Sequence, residues 1–309
     1  MAAMNSEKDV KPLEEHILRH FPIEIYRVVL EERDGVEPGI DIIIYNKALP
    51  YPTHDTACIV CELFSGDPSR LHIDSLRQCG LDGETHLKRV IAFAEGYGIS
   101  RITLEDGSRI IYTPYGDPTD TSHSISLKQF RRLMKGESWY EKFGFTNHII
   151  EASKKSIEDY INTPIGIIHQ YKLIENELIE NELILQIHDY VSEIDSKITS
   201  DKMRMVPVKK AVSYLSEFLT RLCPNRICNP DEVIDIVDEI DKIVDILYQG
   251  MLTHLGLVDT NFTFLQLNLP RPNQKGSSRK HLRKHSRKHS RRTQKKHNKK
   301  ARKRTHKKF

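Results

Sequence analysis

The sequence has no uninterrupted apolar run approaching the ~20 residues that a bilayer span requires, so no segment reads as a transmembrane helix and no membrane partner is expected. Residues Met1 to Pro12 lack the apolar core of a secretion signal. Cysteine is scarce, with five in 309 residues. An odd, small number argues against a disulfide framework and for a reducing, intracellular compartment. P-loop, G-x-S-x-G and H-E-x-x-H patterns are all missing, which leaves hydrolase and nucleotide-transfer chemistry without a basis in the sequence. The most telling absence is local: the 35 residues from Lys275 to Phe309 contain no Asp or Glu.

Those residues hold 18 of the 47 Lys and Arg. The body before them keeps 29 basic residues against all 43 acidic ones, so a body of about −14 carries an arm of about +18. The arm repeats a four-residue unit, Arg279-Lys280-His281-Leu282, Arg283-Lys284-His285-Ser286 and Arg287-Lys288-His289-Ser290, then loosens. With like charges throughout and Leu282 as its one aliphatic residue larger than Ala, it is expected to be disordered. Its partner is expected to be a polyanion, nucleic acid above all, bound without sequence specificity through counterion release. The phosphate-contacting side chains would be Arg279, Lys280, Arg283, Lys284, Arg287, Lys288, Arg291, Arg292, Lys295, Lys296, Lys299, Lys300, Arg302, Lys303 and Arg304. No interleaved aromatics are present to stack on single-stranded bases. A nuclear address, or docking of the arm on the acidic body, would use the same charges.

The body divides by periodicity. Ile23–Glu31, Ile40–Tyr45 and Thr56–Phe64 are rich in β-branched residues and predict strands, with Arg70–Ile73 as a fourth. Leu87, Val90, Ile91 and Ala94 recur at helical spacing before Gly96 and Gly98. Ser100–Leu104 and Arg109–Tyr112 predict further strands, and Ser126–Met134 a helix. From about Ile150 the pattern becomes long amphipathic helices. The pentapeptide Leu173–Glu177 is repeated at Leu178–Glu182, and three apolar seams follow, on Ile187–Ile198, Val208–Leu219 and Val233–Leu247. The last is preceded by a capping sequence, Asn229-Pro230-Asp231-Glu232. Such stripes close a bundle on itself or dock a protein partner, and both readings stay open.

Cys58 and Cys61 form a CxxC inside the third strand, where positions three apart face opposite sides. Cys223 and Cys228 have no His or Cys pair at finger-like spacing, so they read as ordinary thiols and no metal site is expected.

Residues 70–146 together resemble the GCN5-related N-acetyltransferase family. The resemblance rests on the strand and loop Leu71–Gly80, the helix Leu87–Glu95, the strand Arg101–Leu104 and the segment Trp139-Tyr140-Glu141-Lys142-Phe143-Gly144-Phe145, expected as a helix. It implies acetyl-CoA as cofactor, its pyrophosphate held by the loop carrying Arg77, Gly80 and Gly83. It also implies Tyr140 as the general acid toward the CoA thiolate and, at the end of the strand, Glu105 with Asp106 as a base. A turn carboxylate capping Gly107-Ser108 is the alternative role there. Asp82 stands where the family pattern has a small residue, and a carboxylate there repels a diphosphate. The basic tail behind Gly136–Tyr140 is similar to proteins of large cytoplasmic DNA viruses, which implies the host cytoplasm or virion, with the nucleus as alternative.

The expected architecture is α+β. A flexible N-terminus spans 1–14, an acetyltransferase-like mixed sheet with flanking helices 15–149, an acidic all-α domain 150–262, and a linker with a disordered basic tail 263–309. The expected function is a non-catalytic nucleic-acid-associated protein, the helices offering a surface to protein partners. The alternative is an active acetyl-CoA-dependent N-acetyltransferase tethered to nucleic acid.

Overall fold

The computed structural model describes residues 7–34, 37–48, 56–77, 79, 82–115, 123–171, 177–228 and 232–270. The basic arm with all its candidate contacts, Gly80, the 229–231 part of the capping sequence and the first four residues of the pentapeptide repeat lie outside the described residues. The fold is α+β with a mixed sheet. Among the described residues no helix is long and apolar enough to cross a membrane.

The described residues form two compact units, one from 7–102 with 268–270 and the other from 103–267. The sequence placed a boundary near 149, but the helices beyond it pack on elements that precede it, so the second unit gathers both.

In the first unit, α1 (Glu7–Leu18) occupies a stretch expected to be flexible. Leu13 and Ile17 on one face are fully buried, and His16 meets the rings of Phe93 and Tyr97, which offsets the poor local helix signal of Pro12. The strands β1 (Tyr26–Arg33), β2 (Gly39–Asn46), β3 (Ile59–Phe64) and β4 (Arg70–Leu76) form an antiparallel meander. Their β-branched side chains make the core, with Ile42, Ile43, Ile44 and Ile59 essentially inaccessible. Opposite β3 the register slips by one: Val60 faces Ser75 but Cys61 faces Ile73, so Asp74 is an extra residue bulged from β4. α2 (Gly83–Tyr97) ends on Gly98 in the left-handed region, φ 92°. It leads to β5 (Arg101–Glu105), whose start lies beside the start of β4, since Ser69 O accepts from the N–H groups of Ser100 and Arg101. β4, α2 and β5 are therefore a parallel crossover.

In the second unit, β6 (Arg109–Pro114) and β7 (His123–Ser126) pair antiparallel. Ser126 then caps α3 (Leu127–Lys135). Residues 139–145, expected as a helix, instead form a 3₁₀ turn over Glu141–Phe143 that Gly144 ends at φ 94°. The helices α4 (His148–Asn162), α5 (Glu177–Ile194), α6 (Ser200–Arg204) and α7 (Val208–Leu222) follow. β8 (Ile227–Cys228) adds to β6 in parallel, and α8 (Glu232–Leu255), α9 (Thr260–Thr263) and β9 (Phe264–Asn268) complete the unit. The predicted seams are buried at Ile187 and Val191, at Val212, Leu215 and Leu219, and at Ile240, Val244 and Leu247. The stripes of α5, α7 and α8 close largely within the unit, on one another and on α3 and α4. β9 lies beside β5, where Asp106 N–H donates to Thr263 O, and Gln266 exchanges both backbone bonds with Thr146.

Cys223 and Cys228, expected to be ordinary thiols, form a disulfide. Pro224 to Arg226 fold into a tight turn with Asn225 and Arg226 at positive φ, which returns the chain on itself and sets the two Cα atoms 4.4 Å apart.

Candidate functional site

The loop expected to hold a cofactor belongs to the first unit. Arg77 leaves β4 with its side chain exposed, and its backbone is pinned: its N–H donates to Cys58 O at 2.8 Å, and its carbonyl meets His86 Nδ1 at 3.1 Å. A carbonyl only accepts, so Nδ1 carries the proton and Nε2, 3.3 Å from the Tyr26 hydroxyl, accepts from it. His86 is fully buried, and burial lowers its pKa, opposed by the Arg77 carbonyl. The imidazole thus stays neutral and acts as a strut between α2, the loop and β1.

Gly83 is the first residue of α2, so the helix begins one turn before its first apolar residue, Leu87. The reason is Asp82, the N-cap. Its Oδ1 accepts from Thr85 N–H at 2.7 Å and its Oδ2 from the Thr85 hydroxyl at 3.0 Å. These bonds, the backbone one foremost, lower the Asp82 pKa and keep it ionised. Glu84 follows in the first turn and pairs with Lys88. One of the N–H groups that a phosphate would use at this helix end, that of Thr85, is therefore already given to a carboxylate.

The candidate acid and base belong to the second unit. Glu105 is exposed at the end of β5, whereas the adjacent Asp106 is fully buried. Asp106 takes the turn-capping role: Oδ1 accepts from the Ser108 hydroxyl at 2.6 Å and from its N–H at 3.3 Å. Its Oδ2 is buried with no partner among the described residues. Tyr140 is also buried, edge-on to Trp139 and Phe145, and its pKa is pushed far up, first by burial and then by the Asp106 charge. Asp106, rather than Glu105, is therefore the carboxylate that Tyr140 senses.

Around this pair lies a charged cluster that sequence reasoning missed. Arg132 on α3 is fully buried; it donates to Glu141 and lies 4.6 Å over the Phe262 ring, while its Nε and Nη1 have no partner among the described residues. Glu141 also accepts from Ser138 N–H at 2.7 Å. One turn earlier, Lys128 donates to both oxygens of Asp259 at 2.8 Å and to Thr263 Oγ1 at 3.2 Å. Tyr248 joins them, its pKa raised by burial first and then by the Asp259 charge, with Asp106 contributing as well. The sole sequence signal was the i,i+4 spacing of Lys128 and Arg132, beside the apolar stripe of α3 and easily read as its solvated face.

An open groove of about 570 Å³ lies elsewhere in this unit, between the end of α3, the Glu141–Thr146 segment and α4, with Lys135, Glu137, Glu158 and Lys209 on its walls. Among the described residues no group of three His, Cys, Asp or Glu side chains is placed to hold a metal ion. No protein-family model, curated protein or solved structure matches the chain.

Proposed function

We propose that this chain is a nucleic-acid-associated protein in which a fold like that of the GCN5-related N-acetyltransferases serves as a non-catalytic scaffold and the basic arm is the binding part. The observation that carries the scaffold reading is the carboxylate of Asp82 at the N-terminus of α2, 2.7 Å from Thr85 N–H. A diphosphate placed there would meet a fixed negative charge that already holds one of the helix's donors. The family comparison is supported by the β4–α2–β5 crossover with its bulge at Asp74, and by β9 beside β5 with Thr146 paired on its far side. In this reading the helices between Thr146 and β9 are an insertion before the last strand. The tail's composition is the support for a polyanion partner, and its likeness to tails of large cytoplasmic DNA virus proteins supports a virion or host-cytoplasm setting, with the nucleus as alternative.

A second reading, an active acetyl-CoA-dependent N-acetyltransferase, is favoured by the buried Tyr140 beside Asp106, a phenol held protonated next to a carboxylate. Calorimetry with acetyl-CoA separates the two. Full-length protein is titrated at high salt, where a Debye length of roughly 3–5 Å screens the arm's attraction to phosphates, beside an Asp82→Gly variant. The scaffold reading expects no saturable heat from the native chain. Micromolar binding by the native chain overturns it. For the arm, DNA affinity is followed against salt. A steep linear fall of log K with log salt is expected, about 0.9 per phosphate neutralised, and a much flatter one after Arg283, Lys284, Arg287 and Lys288 are changed to Glu. A slope that those changes leave intact removes the arm from the interface.

A further inference from the structure

Cys223 and Cys228 close a short ring at the end of α7. Cys223 N–H donates to Leu219 O, and Arg226 N–H donates to Cys223 O, both at 2.9 Å. Inside the ring, Asn225 at φ 58° and Arg226 at φ 66° are the only non-glycine residues at positive φ among the described residues. Asn tolerates that region, whereas in Arg226 the Cβ crowds the following carbonyl. Such a turn persists because its surroundings hold it. Past the ring, Ile227 and Cys228 make up all of β8, which lies on β6 through two residue pairs, Thr113 with Ile227 and Pro114 with Cys228. Tyr115 N–H donates to Cys228 O at 2.7 Å, and Pro114 has no N–H to add. β6 has anchors of its own: it pairs with β7 along Arg109–Tyr112, and Arg109 meets Asp241 on α8 at 3.1 Å. The bridge therefore fastens the turn after α7 to a strand that is held without it.

We propose that the Cys223–Cys228 bridge is a redox latch: oxidised, it keeps β8 on the edge of β6, and reduced by a dithiol, it lets β8 lift and leaves that edge open. The other three cysteines are free thiols, so the bridge does not belong to a disulfide framework. Both sulfurs are buried, but Pro224 to Ile227, which span them, are all exposed, and the reductant meets the bridge as this surface turn opens. Reduction frees Arg226 from the left-handed region, which makes this bridge easier to break than an unstrained one. The edge it uncovers runs from Thr113 to the exposed Tyr115.

The exchange balances with the dithiol as its one co-reactant. A thiolate of the dithiol attacks one sulfur of the bridge, the S–S bond breaks, and the other cysteine leaves as a thiolate. The second thiol of the reductant gives up its proton, attacks the reductant sulfur of the mixed disulfide and releases the remaining cysteine. Two electrons and two protons pass to Cys223 and Cys228, and the reductant becomes a cyclic disulfide.

The test uses the full chain in buffers of reduced and oxidised dithiothreitol without denaturant. Samples are quenched, alkylated in denaturant and mapped by mass spectrometry, and amide hydrogen exchange is followed in parallel. The free-thiol count is expected to rise from three to five. Exchange at Tyr115 N–H is expected to accelerate by about tenfold or more while β7 and α8 keep their protection, and reoxidation restores it. A chain with Cys223→Ser and Cys228→Ser should exchange fast with or without dithiol. Arg226→Gly keeps both sulfurs and relaxes the turn, and should raise the ratio of reduced to oxidised dithiol at half reduction by roughly fivefold. A count that stays at three, reduction that leaves Tyr115 N–H as protected as before, loosening that spreads through α7 and α8, or an Arg226→Gly chain reduced as easily as the native one overturns the proposal. If the double variant is poorly folded, the reduced and reoxidised native chain decides by itself.

Discussion

The two units treat polar groups in opposite ways. In the first, ion pairs such as Arg33–Glu62 and Arg101–Asp67 stay at least partly in water, and His86 is the single fully polar side chain buried among the described residues. In the second, Asp106, Lys128, Arg132 and Ser138 are all buried. A sheet core of β-branched residues tolerates almost no polar content, because each strand's backbone already uses its hydrogen bonds in the ladder. A region where strand ends, a 3₁₀ turn and helix termini meet leaves backbone and side-chain groups to be satisfied, and can hold charges at a cost.

That contrast can be broken at its strongest point. Arg132→Met leaves Glu141 buried with its cation gone, and is expected to cost about 3–5 kcal/mol in urea unfolding, where removing Arg101 from its solvent-exposed pair with Asp67 costs under about 1. Adding Glu141→Leu to Arg132→Met should recover most of the loss. If it does not, the pair is held for more than mutual neutralisation. In the first unit the tightest constraint is a missing side chain. A Cβ at Gly39 would lie 2.3 Å from Leu63 O on the neighbouring strand, so Gly39→Ala is expected to destabilise by roughly 1–3 kcal/mol.

Alkaline pH sharpens the comparison further. Tyr140 and Tyr248 have pKa values raised above those of the unfolded chain, so unfolded tyrosine ionises first. Their contribution is complete below about pH 10 and is lost as pH rises beyond it, at about 1.4 kcal/mol per pH unit for each group. Tyr140→Phe should flatten that decline, as read by denaturant midpoints across pH. The smallest expected effect is local. Asp82→Ala should speed hydrogen exchange at Thr85 N–H, and in the native chain the same protection should fade in acid as Asp82, with its depressed pKa, finally protonates.

Much of the first unit was legible in the sequence. The strands β1 to β3 lie within a few residues of their β-branched runs, and α2 follows from the spacing of Leu87, Val90 and Ala94 with Gly98 to stop it. α1 was not legible, because Pro12 and a charged face conceal a stripe whose partner rings, Phe93 and Tyr97, are over seventy residues away. The candidate site was legible by half. Tyr140 and Asp106 were both singled out, but which of Glu105 and Asp106 turns inward depends on where β5 ends.

Sequence alone determined the split between an acidic body and a basic arm, the placement of strands before helices, and the carboxylate at the start of α2. These are local properties, set by charge count, periodicity and capping chemistry. Tertiary structure decided which charges are buried. Lys128 and Arg132 carry no local mark of burial, and only the meeting of α3 with Asp259, Glu141 and Phe262 takes them out of water. It also decided which cysteines meet. Cys223 and Cys228 read as ordinary thiols, and only the turn through Asn225 and Arg226, both at positive φ, sets their Cα atoms 4.4 Å apart and joins them.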